Sequence, residues 1–223
     1  MKLNFIKAVA CSCLAVFLLS ACTQGNKFDI SSGSYLDKKT GVEYKAASWE
    51  YEAMSVSDDI YGEYKKKYDL EFHRIGDIDP KLLLTDAVGT VYYTSEVALP
   101  TLENSDSVVY ADVYNAYDEL VATVNGRTDI ELIVDTFTKG YNAYESMYFE
   151  SAEPAVNVNQ RIKFAFPELG VYYVLAYVEY AEDFSYYDAN GKERSANKVI
   201  FNRYTKTYVP VEDSLTSLYA VAE

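Results

Sequence analysis

Histidine and glycine-rich motifs are scarce in this chain, and their scarcity removes several kinds of chemistry. The 223 residues include one histidine, His73, so the two-histidine helix of zinc proteases cannot be formed. No Gly-x-Gly and no Gly-Lys-Ser/Thr sequence occurs, so the dinucleotide fingerprint and the phosphate loop are both missing. The sequence therefore predicts no nucleotide enzyme of these two classes, and we expect no cofactor.

Long apolar runs are also missing, apart from one short run near the start. Lys2 and Lys7 precede an apolar segment of 12 residues, 8–19, and the sequence Leu19-Ser20-Ala21-Cys22 follows. A bilayer-spanning helix needs about 20 apolar residues, whereas a cationic start and a shorter apolar core are typical of a signal peptide. These residues resemble the signal peptide and lipobox of bacterial lipoproteins.

The resemblance implies a processed and anchored protein. Ala21 would be the last residue removed, and the thiol of Cys22 would carry a diacylglycerol with its fatty acids, such as palmitate. Residues 1–21 would then be the signal peptide, and the protein would be extracytoplasmic and lipid-anchored to a bacterial membrane. The alternative is an ordinary cleaved secretory signal, with Cys22 merely close to the cut.

The cysteine count fits an anchor better than a disulfide. Cys11 and Cys13 would leave with the leader, so the mature chain would keep Cys22 alone. A single thiol makes no internal bridge, and once lipidated it cannot complete a zinc site of the Cys/His type with His73. We expect no metal site.

The charge of the chain restricts its partners. The formal net charge is −14 at pH 7, and removal of Lys2 and Lys7 would make it two units more negative. Such an acidic chain is repelled by nucleic acids and by anionic lipid head groups. The sequence therefore predicts no nucleic-acid partner, and membrane contact through the lipid on Cys22.

The remaining chain is predicted to form a lipidated tether, residues 22–34, and a single α+β domain, residues 35–223. Its fold class is a predominantly antiparallel β-sheet built from hairpins, with one well-defined helix at about 128–139. Thr128 and Glu131 have capping-box spacing, and a stripe at i, i+3, i+4 and i+7 predicts a buried face. The stripe consists of Ile130, Ile133, Val134 and Phe137.

The strands are predicted from alternation and turn signals. A hairpin is expected over residues 35–46, and a short helix over 57–68, where aspartates begin and lysines end the segment. Residues 171–180 predict a central strand, and Asn190-Gly191 predicts an exposed hairpin tip. Further strands are expected at residues 49–53, 70–75, 82–84, 90–93, 108–114, 120–124, 161–166, 199–201 and 208–209.

The sequence leaves two classes of function to compare, a non-catalytic binding protein and a hydrolase. His73 shares a predicted strand face with Glu71, which indicates a solvent-facing strand surface and not a catalytic base, so no catalytic residue is assigned. Asp77-Ile78-Asp79 and Asp188-Ala189-Asn190-Gly191 are interpreted as turns and not as calcium loops. We expect a non-catalytic binding or envelope protein with a glycan or protein ligand. The alternative is a carboxylate-dependent hydrolase of extracellular polysaccharide, which needs two facing carboxyl groups.

Overall fold

The first group of strands closes into a barrel. The computed structural model describes residues 25–66, 68–103, 105–115, 117–143, 156–187, 190–202 and 207–211. The barrel strands are β1 Asn26–Ser31, β2 Ser34–Asp37, β3 Glu43–Ala46, β5 Ile60–Lys65, β6 Asp69–His73, β7 Leu83–Thr85 and β8 Val91–Tyr93. Their order around the barrel is β1-β2-β3-β8-β7-β6-β5. Strand β1 pairs with β5 in parallel and closes the ring, while the other neighbours pair antiparallel.

Aromatic rings fill the barrel. Phe28 and Phe72 stack with their centroids 4.1 Å apart, and Tyr44 and Tyr92 pack around them. Gly62 makes room for this packing, because a Cβ atom on it would lie 2.5 Å from the Phe28 ring. Such ring contacts favour tilted and offset geometries, which fix how the strands pack.

A second sheet follows the barrel along the chain. Its order is β10-β9-β11-β12-β13-β14, and β4 pairs with β12 beside this path. Strand β4 also forms a bridge to the barrel through Glu52 and Thr90. One hydrophobic cluster contains residues of both sheets, among them Leu83 of the barrel and Phe164 of β11. These strands are β4 Tyr51–Ala53, β9 Ala111–Tyr114, β10 Leu120–Val124, β11 Val156–Phe166, β12 Val171–Tyr187, β13 Glu193–Asn202 and β14 Thr207–Pro210.

The helix, α1, spans Arg127–Ala143 and packs beside β14. The predicted apolar stripe is confirmed, since all four of its side chains are buried in the cluster shared by the two sheets. The predicted capping box is wrong, because the helix already begins at Arg127 and Thr128 lies within its first turn. The Glu131 carboxylate instead accepts a hydrogen bond from Arg127 Nε at 2.8 Å.

The prediction of a β-rich chain with antiparallel sheets and one helix is confirmed for the described residues. A single sheet built from hairpins is only partly matched, because the parallel pairing of β1 with β5 makes the first sheet a closed mixed barrel. That pairing joins segments far apart in sequence, and no local turn signal encodes it.

Two local predictions need correction. The short helix expected over 57–68 is strand β5, where Gly62 and Tyr64 are buried while Glu63 and Lys65 lie further out, so the period is two and not 3.6. The tether predicted over 22–34 is wrong from Asn26 onward, since β1 begins there and buries Asn26 and Phe28, while residues 22–24 lie outside the described residues. Among the described residues there is no helix long and apolar enough to cross a bilayer.

Candidate functional site

A cavity of about 380 Å³ lies beside the hairpin of β12 and β13, where Val211 packs after the end of β14. The two strands pair with Ser185 opposite Ser195, and their register shifts between Glu179 and Phe184. Asp183 lies within this register shift and lines the cavity. The lining residues are Asp183, Tyr186, Arg194, Ser195, Ala196, Asn197 and Val211.

The lining is mostly polar, and one hydrogen bond holds the Asp183 carboxylate in place. The Ser195 hydroxyl donates to Asp183 Oδ2 at 3.1 Å, which leaves the second carboxylate oxygen able to accept from a ligand. Val211 is buried, and its N–H donates to the Lys198 carbonyl at 2.9 Å, which fixes it against β13. The cavity therefore combines hydrogen-bonding groups with a fixed apolar contact.

The chemistry of this lining suits a small hydroxylated ligand. Carboxylate, guanidinium and amide groups give both donors and acceptors in planar arrays, which match pairs of neighbouring hydroxyl groups. The Tyr186 ring offers flat apolar area with few rotatable bonds. The volume lies within the usual range for small-molecule sites, about 300–1,000 Å³.

A second polar cluster lies in the middle of the second sheet, around a buried lysine. Lys163 Nζ donates to Glu52 Oε1 at 2.5 Å and sits 4.5 Å from the centroid of the Tyr114 ring and 5.7 Å from that of Tyr172. Arg161 extends the cluster to Asp118 and lies 3.6 Å from Glu52 Oε2. A buried ammonium ion needs this degree of pairing, because desolvation of a charge is costly.

Asp112 forms the other end of this cluster. It accepts hydrogen bonds from the Thr123 hydroxyl at 2.6 Å and from the Tyr172 hydroxyl at 3.2 Å. Burial raises the pKa of Tyr172, with a smaller contribution from its hydrogen bond to Tyr110, and burial also raises the pKa of Tyr114. Both phenols therefore remain protonated and can act as donors at neutral pH, so we interpret the cluster as structural.

The predicted lipid-attachment residue Cys22 and the predicted cleavage residue Ala21 lie outside the described residues, and both assignments stay predictions. His73 is described, and the expectation that it faces solvent beside Glu71 is wrong. Only 7% of its surface is exposed, and its Nδ1 lies 2.8 Å from the Ser57 carbonyl oxygen. Because a carbonyl only accepts, Nδ1 carries the proton of this bond.

The acidic segments that contain Asp79 and Gly191 are predicted to be turns, and their described residues have turn geometry. Asp79 Oδ1 accepts the Lys81 N–H at 2.9 Å, and the Asp79 carbonyl accepts the Leu82 N–H. Gly191 has a positive φ of 72° in the β12–β13 connection, as the Asn-Gly signal predicts, while residues 188–189 lie outside the described residues. Within the described ranges, no group of three or more His, Cys, Asp or Glu side chains could hold a metal ion.

Strand β12 contains two pairs of consecutive tyrosines, Tyr172-Tyr173 and Tyr186-Tyr187, and strand alternation predicts that the two rings of a pair lie on opposite sides of the sheet. Tyr173 packs edge to face with Tyr51 in the shared hydrophobic cluster, whereas Tyr172 bonds to Asp112 in the polar cluster. In the next pair, Tyr186 lines the cavity and Tyr187 is 66% exposed. Each pair thus gives one ring to any one surface.

No sequence pattern identifies the residues that line the cavity. Asp183, Arg194 and Asn197 lie in polar stretches that resemble any exposed hairpin, and the bulge that brings them together is a property of the strand pairing.

Comparison with known proteins identifies no similar protein, since no family model, no curated protein and no solved structure matches this chain.

Proposed function

We propose that this chain is a lipid-anchored extracytoplasmic protein that binds a small hydroxylated ligand, most simply a glycan unit, without chemically changing it. The observation that carries the binding role is the polar cavity of about 380 Å³ lined by Asp183, Arg194 and Asn197. The observation that supports the anchor is the sequence from Leu19 to Cys22.

The hydrolase alternative receives less support from the cavity. Glycoside hydrolysis generally uses two carboxyl groups about 5–10 Å apart, and among the described residues that line the cavity Asp183 is the single carboxylate. His73 gives no support for imidazole catalysis at this site, because it lies in β6 of the barrel and is buried.

Ligand binding is tested with a panel of probes. Neutral hexoses, N-acetylhexosamines and hexuronic acids, as mono- and disaccharides, are mixed with the purified protein and screened by saturation-transfer NMR. Hits are then measured by calorimetry. Loss of a hydrogen bond to a charged group costs about 1.5–3 kcal/mol, so Asp183→Asn should weaken binding roughly 10- to 150-fold.

Two matched variants make this test specific. Glu193→Gln removes an acid from the same hairpin but from outside the cavity lining, and it should leave the affinity unchanged. His73→Gln should also leave it unchanged if the site is the cavity. An equal loss for Asp183→Asn and Glu193→Gln, or no binding of any probe, would contradict the proposal.

The anchor is tested by metabolic labelling with palmitate. The wild-type chain and Cys13→Ala should incorporate the label, because Cys13 lies in the predicted leader. Cys22→Ala should incorporate none and should accumulate uncleaved or leave the membrane fraction. Equal labelling of Cys22→Ala and wild type would exclude lipidation at this residue.

A further inference from the structure

The turn that joins the barrel to the second sheet contains a carboxyl group in an unfavourable place for a charge. Strand β3 ends at Ala46 and β4 begins at Tyr51, and Glu50 lies directly before β4, where it is partly buried. Its Oε2 atom is buried and has no hydrogen-bond partner among the described residues. A buried oxygen without a donor costs more free energy in a carboxylate than in a neutral carboxyl group. The surroundings of Oε2 therefore favour the protonated form.

Neutral side chains hold the rest of this carboxyl group. It forms hydrogen bonds with Ser48 of the same turn and with Tyr173 of β12. The Tyr173 hydroxyl also accepts a hydrogen bond from Asn202 Nδ2 at 2.9 Å, and both Tyr173 and Asn202 are buried. The carboxyl group thus connects the turn to a buried polar contact of the second sheet.

The titratable groups that face Glu50 are phenols, which are neutral at physiological pH. They are Tyr173 of β12 and Tyr51 of β4, and Tyr93 of β8 lies near Tyr51. No described lysine or arginine forms an ion pair with Glu50. Burial raises the pKa of Glu50, and its hydrogen bonds with Ser48 and Tyr173 offset only part of the increase.

Backbone hydrogen bonds hold the two ends of the turn, and Trp49 lies between them. The Val174 N–H donates to the Glu50 carbonyl at 2.7 Å, and the Tyr51 N–H donates to the Ser48 carbonyl at 3.1 Å. The Trp49 residue is 84% exposed. A ring with so few contacts of its own moves with the backbone of the turn that carries it.

We propose that Glu50 is a latch that holds the β3–β4 turn in place while its carboxyl group is protonated and releases the turn when the group ionises. An ionised carboxylate gains hydration by leaving the buried position, which breaks its bonds to Ser48 and Tyr173 and frees Trp49. The two sheets stay joined through their shared hydrophobic cluster, so the change is confined to the turn. This inference goes beyond the proposed function and depends neither on the anchor nor on the cavity.

The direction of the pH dependence follows from the burial of the carboxyl group. The pKa of Glu50 in the folded protein is raised above 4.5, its ordinary value. The latch is therefore fully closed below that ordinary value and opens as the pH rises through the pKa of the folded protein. His73 is the single side chain of the chain with an ordinary pKa near neutrality, and it needs its own control.

The test follows Trp49, the single tryptophan of the chain. Time-resolved fluorescence anisotropy detects nanosecond motion of the ring, a timescale that includes loop motion. In the full chain, purified in detergent, the amplitude of local Trp49 motion should rise along a single-proton titration curve with its midpoint above 4.5. Far-ultraviolet circular dichroism should stay constant over the same pH range. A parallel loss of circular dichroism would overturn the latch, because the whole fold would then be opening.

Four variants identify the group that titrates. Glu50→Gln has no proton to lose and should keep Trp49 restricted at every pH. Ser48→Ala removes a hydrogen bond that favours the carboxylate, so it should move the midpoint to higher pH. Glu43→Gln, at an exposed acid of β3, is the matched control and should leave the curve unchanged. His73→Gln should leave it unchanged as well.

The results that overturn the latch are distinct from these. Trp49 motion that does not depend on pH in the wild-type chain, or a transition that persists in Glu50→Gln, would exclude it. Loss of the transition in His73→Gln would assign the transition to the imidazole. If Glu50→Gln does not fold, Ser48→Ala decides the question, and a midpoint that stays in place or moves to lower pH contradicts the proposal.

Discussion

Lys163 and Glu52 form an ion pair, and substitution of one partner should lower the free energy of unfolding more than substitution of the other. The Lys163 side chain is 6% exposed, and the Glu52 side chain is 29% exposed. Glu52→Gln keeps the shape of the side chain but leaves the ammonium group buried without its carboxylate. Lys163→Met removes the buried charge and leaves Glu52 partly hydrated, 3.6 Å from Arg161.

The magnitudes follow from this difference in exposure. Removing one partner of a buried ion pair costs about 3–5 kcal/mol, because the other charge stays desolvated. Glu52→Gln retains an acceptor oxygen, and we expect a loss of about 3 kcal/mol. Lys163→Met is close to volume-conserving, and such substitutions usually cost less than about 1.5 kcal/mol. The double variant should resemble Lys163→Met.

The assay is guanidinium chloride unfolding followed by far-ultraviolet circular dichroism. Trp49, the single tryptophan, is 84% exposed and is a poor reporter of unfolding by fluorescence. The double-mutant cycle separates the pair from its surroundings. The reasoning is refuted if Glu52→Gln changes the free energy of unfolding by less than about 0.5 kcal/mol, as surface substitutions do.

Three further outcomes are expected. Gly62→Ala should cost about 1–3 kcal/mol by overpacking Phe28, and an unchanged denaturation midpoint would contradict this. Burial raises the pKa of the Glu50 carboxyl group. Its contribution to the free energy of unfolding is therefore fully present below the ordinary pKa of a glutamate and decreases as the pH rises. Glu50→Gln should therefore gain stability relative to wild type as the pH rises above the ordinary pKa of a glutamate, and a difference that does not change with pH would exclude this. Lys66→Gln should raise the Asp29 pKa from about 2 toward 3.8 in an NMR titration, whereas an unchanged value would show that Lys66 is not its main partner.

The elements that the sequence predicted well are those with a local signal. The stripe of Ile130, Ile133 and Phe137 repeats at the helical period, so the helix and its buried face could be placed without the structure. Asn190-Gly191 marked its hairpin, and alternation marked β11. In each case the residues that determine the element are neighbours along the chain.

The elements that were missed depend on contacts between distant segments. Strand β5 begins after aspartates and ends in lysines, which is the charge order of a helix, yet its partners β1 and β6 impose a strand. Lys163 alternates with Ile162 and Phe164, which predicts a solvent-facing lysine. Packing of Tyr114 and Tyr172 over the same face buries it.

The candidate cavity was beyond the reach of the sequence for the same reason. It depends on a register shift inside β12 and on Val211, which is brought to β13 by the pairing of β14. A bulge changes which side chains share a surface, and a period-two pattern does not predict where one occurs. The ligand-contacting set therefore emerges only from the assembled sheet.

The closure of the barrel also affects how neighbouring copies of the protein behave. A free strand edge is a template for pairing with another chain, and a sheet that closes on itself exposes none. In the second sheet, β10 is outermost at one end of the described order and carries a bulge between Leu120 and Ala122. Strand β14 at the other end finishes at Pro210, which has no N–H to donate. Both features resist strand-to-strand aggregation, so the protein can reach a high local concentration without forming intermolecular sheets.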